Sequence, residues 1–289
     1  MRGRCEETVI CLESQEGMHV FCSTGAFWSA SVPDSYQEAI LTYGPQLRVD
    51  GFEVMFDPTW YGEAVQRARS LRSSGLSFPV VHLEKRIGTV LGSSDPVEQE
   101  QGVQWLERNC AFAQQIGASL GVLHLWAPNA DTHLERNLQP LPRCLDIAAH
   151  YGLKLAIETM PCLAADPLTN VKRAWEQDAR TRVALDSEFL ALHEQLEAVF
   201  RTSWLWKAGL VCHVHFKDYD RIPFPAGSRR YLQPGEGQID FARFVRQLSA
   251  AGFSGALSLE APAVDREGRV DVARLQASLD RMVQWAEQA

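Results

Sequence analysis

Eight short β-rich runs, each followed by an amphipathic stretch, constrain this chain more than any other feature. The runs fall at residues 18–22, 51–56, 78–83, 120–125, 153–157, 182–185, 210–216 and 256–259. Between them the apolar period changes from two to about 3.6. After Asp240, the residues Phe241, Phe244, Val245 and Leu248 fall at helical spacing, and Gly252 is placed as a C-cap. Asp95-Pro96 predicts an N-cap with proline in the first turn, opening a helix through Trp105, Leu106, Phe112 and Ile116 to Gly117. The last helix carries Val272, Leu275, Leu279, Met282 and Val283 on one face.

Strand then helix, repeated eight times, predicts a single-domain (β/α)8 TIM barrel. One residue near the end of each strand from the second onward gives Glu53, His82, His124, Glu158, Asp186, His215 and Glu260, in steps of 29, 42, 34, 28, 29 and 45 positions. A βα unit needs roughly 30 residues, so the two long steps are expected to hold extra loop. A doubly wound open sheet would put a glycine-rich phosphate loop after its first strand, and none is present. Residues 1–17 form an N-terminal extension in which 8–12 is a candidate short strand, and 18–289 form the barrel domain.

Alternation along the strands sorts the side chains. In the fifth strand Leu155 and Ile157 oppose Lys154, Ala156 and Glu158. In the sixth, Val183 and Leu185 oppose Arg182, Ala184 and Asp186. In the seventh, Cys212, Val214 and Phe216 oppose Val211, His213 and His215. In the eighth, Leu257 and Leu259 oppose Ala256, Ser258 and Glu260. The bulky face is expected to meet the helices and the small or polar face to line the barrel. Each lining face ends in an ionisable residue at the C-terminal rim, where this fold builds its sites.

Three carboxylates, Glu158, Asp186 and Glu260, and one imidazole, His215, thus converge at the barrel mouth. Three anions gathered out of water repel one another, and a divalent cation removes that cost. Oxygen-rich coordination with one nitrogen suits Mn²⁺, Mg²⁺ or Co²⁺, and Zn²⁺ also fits.

The segments around these residues resemble a known family. They are Leu153-Lys-Leu-Ala-Ile-Glu-Thr, Val183-Ala-Leu-Asp-Ser, His213-Val-His-Phe-Lys-Asp218, Pro234-Gly-Glu-Gly-Gln-Ile-Asp-Phe241 and Leu257-Ser-Leu-Glu260. Together they are similar to the ligand motifs of the xylose-isomerase-like barrels, the sugar phosphate isomerase/epimerase superfamily, over about residues 18–285. The resemblance implies that Glu158, Asp186, His215 and Glu260 bind one catalytic divalent metal, with Glu158 and Glu260 also serving as acid and base. It implies an isomerase or epimerase of a sugar or sugar-like hydroxy-carbonyl substrate, working through an enediolate. It also carries the expectation of a homodimer.

Other residues are candidates for a substrate shell. His82 and Glu84 share one parity, and His124 and Trp126 share another. His82 and His124 resemble positions that hold substrate or further metals in related barrels, and Trp126 is placed to stack on a sugar face or to pack. Lys217 and Arg221 follow the seventh strand and suit a phosphate or carboxylate on the substrate. Glu53 is a candidate hydrogen bonder to the ligand residues, His213 is expected to be structural, and Arg229-Arg230 to be a solvated loop. The run Asp186-Ser-Glu-Phe189 departs from the family's Asp-x-x-His, with His193 one helical turn further on. An apolar ring there points to a less hydroxylated ligand.

Three other readings compete. Glu158-Thr-Met-Pro161 resembles the dehydroshikimate dehydratase branch, a metal-dependent lyase whose chemistry also begins with proton abstraction. Abasic-site endonucleases share the barrel with a trinuclear zinc cluster, but Phe189 removes one ligand and no Asp-x-His pair follows His215. A non-catalytic ligand-binding barrel is the third, and it leaves the crowded carboxylates unexplained.

With 28 Lys+Arg against 36 Asp+Glu, the net charge of −8 disfavours DNA and anionic membranes. No apolar run reaches the ~18 residues of a membrane span, and residues 1–7 lack a secretory leader, so a cytoplasmic protein with a small-molecule substrate is expected. Seven scattered cysteines without a Cys-x-x-Cys pair read as buried thiols.

Overall fold

The computed structural model describes residues 17–28, 36–128, 130–207, 209–221, 230–265 and 267–289. The N-terminal extension up to residue 16, with its candidate strand, and Arg229 lie outside the described residues. Eight parallel strands close into a barrel in sequence order. They are β1 (His19–Ser23), β2 (Gly51–Met55), β3 (Val80–His82), β4 (Leu120–Leu123), β5 (Lys154–Glu158), β6 (Arg182–Asp186), β7 (Val211–Phe216) and β8 (Ala256–Leu259). Every boundary falls within two residues of the one expected from the sequence. No described helix is long and apolar enough to cross a membrane.

The strand faces sort as the alternation predicts for β5, β6 and β8. Leu155, Ile157, Val183, Leu185, Leu257 and Leu259 are buried in the large core between strands and helices. Ala156, Ala184 and Ala256 join Phe21, Val80, Leu120 and Val122 in a separate apolar cluster that fills the barrel interior. The small side chains leave room there for the bulky ones of β1, β3 and β4.

β7 departs from simple alternation. Val183 pairs with Val211 but Ala184 pairs with His213, so Cys212 is an extra residue in the ladder. Val211 therefore packs outward with the helices, and Cys212 packs against the interior cluster. The expected grouping of Cys212 with Val214 and Phe216 is wrong below this bulge and holds above it. A bulge flips parity locally, and here it leaves both His213 and His215 pointing inward.

The helices start and stop where their caps dictate. Asp95 accepts from Val97 N at 2.8 Å to open the helix Pro96–Ile116, and Gly117 ends it at φ 86°. Asp240 accepts from Arg243 N to open Phe241–Ala250, which buries Phe241, Phe244, Val245 and Leu248. In Val272–Glu287, Leu275, Leu279 and Met282 are buried, while Val272 and Val283 are partly buried against the same core. The extra length after β3 is not loop, as expected, but a short helix, Ile87–Leu91, before the 21-residue helix. That short helix lies tight against the exit of β4. A Cβ added at Gly88 would stand 2.0 Å from the carbonyl oxygen of His124. Asn137 Nδ2 donates to both Gly88 O (2.6 Å) and Leu125 O (2.7 Å), so the backbone that presents His124 is fixed. The five described cysteines, Cys22, Cys110, Cys144, Cys162 and Cys212, are free thiols.

Candidate metal centre at the barrel mouth

The inward faces of β5, β6, β7 and β8 end in Glu158, Asp186, His215 and Glu260. The structure brings all four together: one ligand atom from each lies within 4.8 Å of the others, and all are buried. Ligands about 2.1 Å from a single ion stand up to about 4.2 Å apart, so the set needs only a small contraction to hold one cation. The donor chemistry, three carboxylates and an imidazole, suits a hard or borderline divalent ion. Glu158 Oε2 and Asp186 Oδ2 are buried without a well-aligned hydrogen bond. They are held instead by proximity to His124 Nε2 and Lys217 Nζ, each at 2.6 Å. Buried oxygens in that condition are what a cation would satisfy.

Beneath the four lies a polar layer that orients them. Glu53 is fully buried at the centre of the barrel. Its Oε1 accepts from His215 Nε2 at 2.9 Å, and its Oε2 from His213 Nε2 (3.1 Å) and Ser258 Oγ (2.6 Å). This aims the other face of the His215 ring, Nδ1, at Glu158 Oε1 (2.9 Å) and Glu260 Oε2 (3.5 Å). A carboxylate behind a ligating histidine fixes its tautomer and raises its basicity. Burial lowers the affinity of His215 for a proton, but Glu53, Glu260 and Glu158 outweigh it and raise the ring well above the ordinary imidazole range. His213 has no such surplus of anions, and burial pushes it down.

The carboxylates divide by their neighbours. Burial raises Glu158, yet His124 and His215 draw it well below the usual range. Burial likewise opposes Lys217, His215 and Lys85 at Glu260, and the cations prevail. At Asp186 burial dominates, and the carboxyl is pushed up to about 6 even beside Lys217.

A cavity of about 570 Å³ opens above the centre. Of the four residues, only Glu158 and Glu260 line it. His82, Glu84, His124 and Lys217 also line it. His82 Nδ1 donates to Leu83 O at 2.8 Å, which turns its Nε2 toward His124 Nε2 (3.1 Å) and Glu158 Oε2 (3.4 Å). His82, His124 and Glu158 form a second cluster of ligand atoms that shares Glu158 with the first. Burial pushes His124 down to about 4, so it is a neutral ring at ordinary pH. Glu84 stands in the wall with its Oε1 held by the Arg86 backbone N and Nε.

Two residues expected in the substrate shell are elsewhere. Trp126 is fully buried in the outer core, and its Nε1 donates to Pro161 O at 3.3 Å. β4 ends at Leu123, so strand parity does not carry as far as residue 126. Arg221, at φ 64°, lines a second cleft with Tyr219 and Gln238, outside the cavity. His193 lines the same cleft and accepts from Cys162 N at 3.1 Å. It does not reach the centre.

Other wall residues were not anticipated. Lys85 Nζ lies 3.9 Å from Glu260 Oε1. Trp28 and Tyr231, both partly exposed, meet at the mouth with ring centroids 5.9 Å apart. Lys85 sits in the loop after β3, where rim residues are expected in this fold, but a lone lysine carries no periodic signal.

The paired motifs also acquire a physical reason. Asp218, fully buried, accepts from the backbone N of Gly235 (2.8 Å), Gly237 (2.8 Å) and Ile239 (3.0 Å). A Cβ at Gly237 would meet Asp218 Oδ1 at 2.4 Å. The Lys-Asp and Gly-Glu-Gly-x-Ile-Asp segments are thus one folded unit, and it fixes the chain just after His215.

The family described as xylose isomerase-like TIM barrel matches residues 44–285. None of the curated proteins matches the sequence. Among solved structures, D-allulose 3-epimerase from Methylomonas sp. in complex with D-allulose is similar with a TM-score of 0.71 at 14% identity, covering 94% of this chain and 98% of that one. An L-ribulose 3-epimerase gives 0.67 at 18%, covering 94% and 97%. The 3-keto-D-glucoside 4-epimerase of E. coli gives 0.64 at 18%, covering 93% and 98%. At these identities the likeness is one of fold.

Proposed function

The chain belongs to the xylose isomerase-like TIM barrel family, and from that premise we propose that it is a divalent-metal-dependent isomerase or epimerase of a sugar or sugar-like hydroxy-carbonyl compound. One observation carries the reading. Of four buried groups suited to one cation, the two that face the cavity are the glutamates Glu158 and Glu260, from strands three apart in the ring. That is the disposition needed for proton transfer on two faces of one bound molecule.

A bound divalent ion would supply Lewis-acid polarisation of a carbonyl and its neighbouring hydroxyl, which acidifies the adjacent C–H. Asp186 and His215, shielded from the cavity, are suited to hold the ion without touching the reacting carbon. One glutamate takes the proton from the carbon beside the carbonyl, and the same or the facing one returns it. Return to the neighbouring carbon is isomerisation. Return to the same carbon on the other face is epimerisation. His124, neutral and 2.6 Å from Glu158 Oε2, is placed to steady that carboxylate or to contact a substrate hydroxyl. Met160 and Phe189 give the cavity an apolar wall, which favours a substrate with fewer hydroxyls than a free hexose. The epimerase neighbours support a ketose or keto-sugar as the starting point of a search.

The test is solvent exchange. Ketoses and keto-acids are incubated in D₂O with the protein and Mn²⁺ and followed by proton NMR. The expected result is loss of one C–H signal next to the carbonyl in at least one compound, dependent on the metal. A conjugated, ultraviolet-absorbing product formed with loss of water would favour the dehydratase chemistry instead. Exchange with no compound would count against a proton-transfer enzyme.

A further inference from the structure

We infer that Lys217 is a resident counter-cation of the carboxylate cluster, displaced into the cavity when a divalent ion binds. The inference rests on the metal reading above. Lys217 is 4% exposed, although it stands in the loop beyond β7. Its Nζ lies 2.6 Å from Asp186 Oδ2 and 2.6 Å from Glu260 Oε2. Both carboxylates belong to the set whose ligand atoms gather within 4.8 Å. Asp186 Oδ1 is already committed to the Phe189 backbone N, capping the helix Ser187–Leu192. Glu260 Oε2 is the oxygen that approaches His215 Nδ1. An ammonium and a divalent ion sharing the same two oxygens would stand in near contact, with the attraction of each weakened by the other.

Only the side chain of Lys217 is able to yield. Its backbone is pinned on both sides, N donating to Ser187 Oγ (3.0 Å) and O accepting from the same hydroxyl (2.7 Å). The next residue, Asp218, anchors the 235–239 segment. In its present position the ammonium already lies over an aromatic face that it can keep while leaving the carboxylates. The ring of Phe189 lies with its centroid 4.8 Å from Nζ, and both residues line the cavity. An aromatic face holds a cation without taking a carboxylate away from the ion. A displaced Lys217 would therefore rest along Phe189 with its ammonium toward the substrate. This gives Phe189 a task at the position where a histidine was expected: it offers the lysine a surface while adding no ligand.

The test is Mn²⁺ titration by calorimetry of the wild type and of K217M, K217Q and K217R. Removing a competing positive charge at this range is expected to tighten binding by about tenfold or more in K217M and K217Q. K217R keeps the charge and should bind like the wild type. In the wild type itself, acylation of Lys217 read by mass spectrometry should increase when Mn²⁺ is added, a readout that needs no variant to fold. Unchanged or weaker binding in both neutral variants, or labelling of Lys217 that does not rise, would overturn the inference while leaving the metal site standing. Absence of Mn²⁺ binding in all four proteins would remove the metal reading, and the inference with it.

Discussion

Replacing Glu158 with Gln is expected to lower kcat by about 10³-fold or more, the scale of losing a general acid–base group, with the fold intact. Glutamine has the shape of the side chain it replaces but not its charge. Glu158 is the member of the four that both faces the cavity and contacts three imidazoles, His215 through Oε1 (2.9 Å) and His124 (2.6 Å) and His82 (3.4 Å) through Oε2. The variant would lose a proton acceptor and one of the three negative charges of the candidate metal centre at once. The outer core, which carries most of the buried apolar surface, is not touched by the change. Steady-state kinetics on the substrate identified by solvent exchange, beside a circular dichroism melt, separates the two effects. Wild-type rates in folded protein would remove Glu158 as the base.

Glu53→Ala is expected to cost about 3–5 kcal/mol of stability, the penalty for breaking a buried pair by deleting one partner. Glu53 holds His215, His213 and Ser258 in the fully buried centre of the barrel. Burial alone would raise its carboxyl; His215 and His213 hold it well below the usual range, as expected of an anion paired on two sides. Removing it leaves two rings without their acceptor and frees His215 to rotate away from Glu158 and Glu260. Metal affinity should therefore fall as well, by about 10–100-fold. Guanidinium unfolding and Mn²⁺ titration measure the two losses. Stability within about 1 kcal/mol of wild type would show that the layer beneath the centre is not held as described.

Much of this was legible from alternation alone. Strands β5, β6 and β8 place bulky residues outward, with Glu158 and Asp186 ending the first two and Glu260 directly following the third, and period two is a strong signal wherever the strand is regular. Alternation failed where regularity ended. Trp126 lies three residues beyond β4, so its parity with His124 had no strand to carry it. Cys212 sits in a bulge that exists only because β6 and β7 differ by one residue in register, which one strand's sequence does not encode. Arg221 turns to the second cleft through a left-handed backbone angle that no residue type at that position announces. The pairing of Lys217 with Asp186 and Glu260 depends on where a long side chain points after its strand has ended. Glu53 was expected to hydrogen-bond the residues at the mouth, and it does so at His215, but its further partners His213 and Ser258, like those of Asp218, join segments far apart in sequence and are known only once the barrel is closed.

The central claim is that Glu158, Asp186, His215 and Glu260 hold one divalent ion. Its most direct test is metal content per chain by mass spectrometry, on protein purified without chelators and supplied with Mn²⁺, beside a Glu158→Gln/Asp186→Asn double variant. About one equivalent of Mn, Co, Mg or Zn in the wild type, lost in the folded variant, is the predicted result. No metal in either protein would contradict it.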